Sequence, residues 1–102
     1  MGQARAVKLR YTPAAVTELR ELLDFVASSS PQGAQRIRHQ LHATTLMLRH
    51  HPHAGTLTSL RGLRRIIVAP FPYVIFYRPM PDAIEIIAVR HTARSPASMP
   101  SD

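Results

Sequence analysis

The sequence predicts an α+β fold in which a short strand leads into a helical hairpin packed on one face of a three-stranded antiparallel meander. Three observations carry this. Apolar residues recur at helical spacing through the first half, Thr-Pro and Ser-Pro pairs mark two helix starts, and strand-like runs separated by proline-rich turns follow from residue 63 onward.

Val7 to Tyr11 alternates Val7, Leu9 and Tyr11 against Lys8 and Arg10, the period of a strand. Thr12 then offers an N-cap and Pro13 a first helical residue whose missing N–H costs nothing, so a helix is expected to about Ala27. Val16, Leu19, Leu23 and Val26, with Leu22 alongside, form its apolar stripe, while Glu18, Glu21 and Asp24 read as its solvated face. Ser30 and Pro31 repeat the same start signal, and the short connection forces an antiparallel hairpin. The second helix spans about Pro31 to His50, with Ala34, Ile37, Leu41, Thr44 or Thr45, and Leu48 on one face. Pro52 and Gly55 end it, and a loop is expected as far as Gly62.

Leu63–Val68, Tyr73–Arg78 and Ala83–His91 then read as strands rich in Ile, Val, Phe and Tyr. Tyr73, Ile75 and Tyr77 fall on one face and Val74 and Phe76 on the other. In the last strand Ile84 and Ile86 oppose Ile87 and Val89. Both sheet faces are therefore apolar, yet one helical hairpin covers only one of them. The second face calls for cover by a partner chain or by loops and tails, and the partner is the preferred reading.

The 102 residues fit one domain, expected over residues 1–94, with 95–102 a flexible tail of Ser, Pro and Ala. A hydrophobic share of 45% is that of a globular chain despite nine prolines. No run is apolar for long enough to span a bilayer and no secretory leader is evident, so a cytoplasmic protein with no membrane partner is expected. The net charge of +7 points to an anionic partner, and all but Lys8 of the thirteen basic residues are arginine, the side chain suited to bidentate phosphate or carboxylate recognition.

Several chemistries are excluded or disfavoured. With no cysteine there is no disulfide, thiolate ligand or Cys nucleophile. Four scattered glycines build no phosphate loop. Outside the first helix the acids are Asp82, Glu85 and Asp102, which gives no carboxylate pair for acid–base work. His39, His42, His50, His51 and His53 invite a metal reading, but His50 and His51 diverge on a helix and few carboxylates complete a shell. No metal and no cofactor are expected.

What remains is basic and aromatic: Arg61, Arg64, Arg65, Tyr73, Arg78, Arg90, His91 and Arg94, residues that a meander can gather into one target-binding patch. Such a patch could bind phosphates or acidic side chains. It could equally serve a metal-independent ribonuclease, with Arg stabilising the in-line transition state and His91 or a Tyr moving the proton.

Around Gly62-Leu63-Arg64, the run Pro72-Tyr73-Val74-Ile75-Phe76-Tyr77-Arg78, and Val89-Arg90-His91-Thr92-Ala93-Arg94, the chain resembles the RelE/ParE superfamily of small toxins from type II toxin–antitoxin modules. The likeness covers roughly Leu9 to Arg94 and is closer to the ParE branch, which includes plasmid-stabilisation proteins. It implies a cytoplasmic toxin held in a hetero-oligomer by a co-encoded antitoxin, whose C-terminal segment occupies a groove on the helical hairpin and sheet. The antitoxin contacts are expected at Leu19, Leu23, Val26, Ile37, Leu41 and Tyr77. The ParE branch implies inhibition of DNA gyrase, a binding activity without bond chemistry. The RelE branch implies cleavage of ribosome-bound mRNA, for which Arg64, Arg65, Arg78 and His91 would be the catalytic set. Here the sequence departs from the RelE pattern, with Val74 where an Arg follows the Tyr of the middle strand and no Tyr beyond Tyr77. A non-toxic homologue that only binds its antitoxin is a third reading.

Overall fold

The computed structural model describes residues 6–93. The elements run β1 (Lys8–Tyr11), α1 (Pro13–Ser29), α2 (Pro31–His50), β2 (Thr56–Leu57), β3 (Arg64–Ile67), β4 (Tyr73–Pro79) and β5 (Ala83–His91). They build a five-stranded sheet in the order β1-β5-β4-β3-β2, with β1 parallel to β5 and every other pair antiparallel. The expected α+β architecture is observed. The two-residue β2, which pairs with Arg64 and Arg65, lies within what reads from sequence as a loop.

Both helices start where cap chemistry dictates. The Thr12 hydroxyl accepts the Ala15 N–H at 3.1 Å, with Pro13 in the first turn. Ser30 serves both helices: its N–H donates to Val26 O at 2.8 Å, closing α1, while its hydroxyl accepts the Gly33 N–H at 2.9 Å, opening α2. At the far end Arg49 ties α2 to the first strand, donating from Nε to Val7 O at 2.7 Å while its carbonyl accepts the Val7 N–H at 3.1 Å.

The main core lies between the hairpin and the sheet. Ala15, Ile37, Leu41 and Leu48 pack with Tyr73, Ile75, Tyr77, Ile84, Ile86 and Val89, and Leu19, Leu22, Leu23 and Val26 complete the α1 contribution. Ala15, fully buried, heads the α1 stripe in place of Val16. The placement of Val89 with Ile84 and Ile86 differs from strict alternation. Phe76 pairs with Ala88 but Tyr77 with Ile86, so Ile87 is an extra residue, a bulge that reverses the face of everything after it.

The middle of the second sheet face is covered by the chain itself, which corrects the reading of that whole face as an open partner site, while Ile67, opposite Val74 on the same face, stays exposed. Val74, Phe76 and Ala88 are buried with Leu63, and Leu60 and Ile87 pack against them. The 58–63 loop carries the cover. Thr58 donates from its hydroxyl to Leu63 O at 2.9 Å and accepts the Leu60 N–H at 3.1 Å, and Gly62 turns the chain at φ 73°. Among the described residues no helix is long and apolar enough to cross a membrane.

Candidate functional site

The basic and aromatic residues expected in one patch fall into two groups at opposite ends of β4. Arg64 and Arg78 sit at one end, where β3 meets the close of β4, with Arg61 in the loop before it. Tyr73, Arg90 and His91 sit at the other. Five residue steps along the strand, about 17 Å at strand rise, separate Tyr73 from Arg78. Face alternation divides the first group again. Arg64 stands opposite Tyr77 on the helix-covered face, whereas Arg65 stands opposite Phe76 and shares the other face with Arg78.

Arg64 is engaged in holding backbone. Its Nη1 donates to Gly55 O at 2.7 Å and to His53 O at 3.2 Å, closing the turn that follows α2. Beside it, the Tyr77 hydroxyl donates to Pro52 O and accepts the Gly55 N–H, each at 2.8 Å. Burial pushes the Tyr77 phenol above its usual value, partly offset by the Gly55 N–H and the Arg64 charge. Gly55 has no room for a side chain, because a Cβ would stand 2.6 Å from the Tyr77 hydroxyl and 2.7 Å from Arg65 O. On the opposite face Arg78 donates from Nη2 to Arg61 O at 3.4 Å.

At the other end, the buried Tyr73 ring meets the His91 ring edge-on, with centroids 5.4 Å apart and planes at 88°. The His91 Nδ1 accepts the Ala93 N–H at 3.0 Å, which assigns the proton of the neutral ring to Nε2. Arg90 is held by Glu18, whose carboxylate lies 3.4 Å from Nε through one oxygen and accepts the Val89 N–H at 2.9 Å through the other. Glu18 belongs, on sequence spacing, to the solvated face of α1. It instead reaches across to β5, a contact 71 residues away that no local pattern shows. Arg94 and the 95–102 tail lie outside the described residues.

Of the expected antitoxin contacts, Ile37, Leu41 and Tyr77 are buried in the core, while Leu19, Leu23 and Val26 are half-buried at the margin of the same core. On α1 the apolar side chain that does face outward is Phe25, 77% exposed, which falls between the residues of the sequence stripe and so escaped it. His39, His42, His50, His51 and His53 are exposed, and among the described residues no three His or carboxylate groups gather as a metal set.

This architecture is found in solved toxins. A chain of the chromosomal ParDE toxin–antitoxin system from P. aeruginosa matches with a TM-score of 0.72 at 19% identity, over 84% of this chain and 96% of that one. The free-state structure of an E. coli RelE toxin mutant matches with a TM-score of 0.68 at 19% identity, over 90% of each chain. The fold is thus shared with both of these structures. Among curated relatives, the toxin RelE2 of Caulobacter vibrioides is 33% identical over 84 residues, 82% of this chain and 93% of that protein. The family model for the ParE toxin of the type II toxin–antitoxin system parDE matches residues 9–96, and the chain belongs to that family. A toxin of such a system implies an antitoxin as its partner.

Proposed function

We propose that this toxin acts by binding rather than by bond cleavage, that its target is DNA gyrase in the cytoplasm, and that an antitoxin holds it inactive. The observation that carries the reading is the dispersal of the would-be ribonuclease set. In-line RNA cleavage needs a proton-transfer group and cationic groups within hydrogen-bond reach of one phosphate. Arg64 is committed to two carbonyls on one face, Arg65 and Arg78 stand on the other, and His91 is at the far end of β4. Target binding tolerates such spacing, since a macromolecule can touch several cations across one surface. The end of β5, with Arg90 and the chain toward Arg94, supplies the proposed gyrase contact. Antitoxin docking falls to the helical hairpin, where Phe25 joins Leu19, Leu23 and Val26.

The test is a pair of assays on the purified full chain: inhibition of gyrase supercoiling, and cleavage of ribosome-bound mRNA. Supercoiling should be inhibited and the mRNA left intact. The 33% identity to a toxin named RelE2 favours ribosome-dependent cleavage as the second reading, and mRNA cut at codon-defined positions with gyrase unaffected would establish it.

A further inference from the structure

We infer that Glu18 is a positioning residue for Arg90, setting the guanidinium so that its outer edge is offered to an anionic group of the target. The inference rests on the proposed role of Arg90 at the end of β5 in target binding. It begins with where β1 stops. β1 accompanies β5 only as far as Ile86, and beyond that the β5 edge has no strand neighbour on this side among the described residues. The start of α1 takes over: the Thr12 N–H donates to Ile86 O at 3.0 Å, the Thr12 hydroxyl donates to Ile87 O at 3.3 Å, and Glu18 accepts the Val89 N–H at 2.9 Å. One carboxylate oxygen is thereby anchored to backbone, so the second is fixed in space and meets Arg90 at Nε.

The choice of nitrogen matters. A guanidinium gripped at Nε keeps both Nη groups for a second partner, and Arg90 has no other partner among the described residues. The two side chains are 33% and 28% exposed, so the pair is partly shielded from solvent and partly open to it. An arginine held in this way gives up less rotamer freedom on meeting a phosphate or carboxylate than a free one does. The backbone anchor is also why the carboxylate stays in place when the target arrives, instead of following the guanidinium.

Gyrase supercoiling assays and thermal melting on full-length Glu18→Gln, Arg90→Ala, Arg90→Lys and the Glu18→Gln/Arg90→Ala double variant test this. Gln keeps an oxygen for the Val89 N–H but replaces the charged hold on Arg90 by a neutral one. Glu18→Gln is expected to melt near the parent, to bind antitoxin as the parent does, and to weaken inhibition roughly fivefold or more. Arg90→Lys, which keeps the charge but has no Nε, should behave alike, and Glu18→Gln should add nothing once Arg90 is Ala. An equal further loss in the Arg90→Ala background would show that Glu18 acts through the fold and overturn the inference. Parental inhibition by Glu18→Gln beside weakened Arg90→Ala would overturn it while leaving the target-binding reading intact. Full inhibition by Arg90→Ala would overturn both the inference and the role of Arg90 in the gyrase contact.

Discussion

Removing one oxygen, by Tyr77→Phe, tests the account of the α2–β3–β4 junction. That hydroxyl donates to Pro52 O and accepts the buried Gly55 N–H, both at 2.8 Å, and the Tyr77 side chain is fully buried. Phe fills the same ring volume, so packing is retained while the Gly55 N–H loses its acceptor. An unsatisfied buried donor costs about 1–3 kcal/mol, and the less buried Pro52 carbonyl can turn to water, which suggests a loss of about 2 kcal/mol. At roughly 4–8 °C per kcal/mol for a domain of this size, the melting midpoint should fall by about 8–16 °C in a thermal scan of the full chain. The same variant carries a pH signature. Burial raises the folded-state phenol above 10.0, so the neutral form is favoured in the folded protein. Its stability contribution is therefore complete below pH 10 and is lost as the unfolded phenol ionises above it. Tyr11 is raised in the same direction by burial, so Tyr77→Phe should reduce the alkaline loss without abolishing it. A drop of less than about 2 °C, or an alkaline profile unchanged by the substitution, would refute the buried-staple argument.

Gly55→Ala should cost about 3 kcal/mol by the same thermal scan, since its Cβ would meet both the Tyr77 hydroxyl and the Arg65 carbonyl; Tyr77→Phe should not rescue it, because the backbone clash at 2.7 Å remains. Arg64→Ala should lower stability by about 1–2 kcal/mol through the lost bonds to Gly55 O and His53 O, with inhibition per folded molecule unchanged in a titration against gyrase. Phe25→Asp should leave the melting midpoint within a few degrees but weaken antitoxin capture in a titration, as befits a side chain that is 77% exposed. Arg90→Ala should abolish growth arrest in induced cells while the protein still copurifies with its antitoxin.

How much of this was readable in the sequence depended on how local each cause is. The two helix starts were legible because capping is a matter of a few neighbouring residues, and Thr12-Pro13 and Ser30-Pro31 act as their spacing implies. The faces of β4 followed from alternation, since nothing interrupts its period. Alternation failed in β5 at Ile87, because a single inserted residue reverses parity and has no signature among apolar neighbours. The two-residue β2 is too short to show any period. The cover over Val74 and Phe76 depends on Thr58 folding the loop back, a tertiary outcome that the loop composition alone does not specify.

The site was legible in its residue types and less so in its geometry. Arginine, tyrosine and histidine do cluster toward strand ends, but a β4 of seven residues is long enough to hold two separate groups. Arg64 reads as a free cation because the carbonyls it binds carry no sequence mark. Glu18 reads as a solvated acid because its partners lie on β5, far along the chain. The apolar stripes of α1 and α2 were located apart from Val16, whose place Ala15 takes, and the sheet uses them, which leaves Ile37 and Leu41 buried in the core.

The most direct measurement of whether this toxin kills by binding gyrase is pulse-labelling after induction of the chain without its antitoxin, with thymidine and methionine incorporation followed in the same culture. DNA synthesis should stop first, with methionine incorporation falling only afterwards. If methionine incorporation stops first while thymidine incorporation continues, the target is translation and the binding account of lethality is wrong.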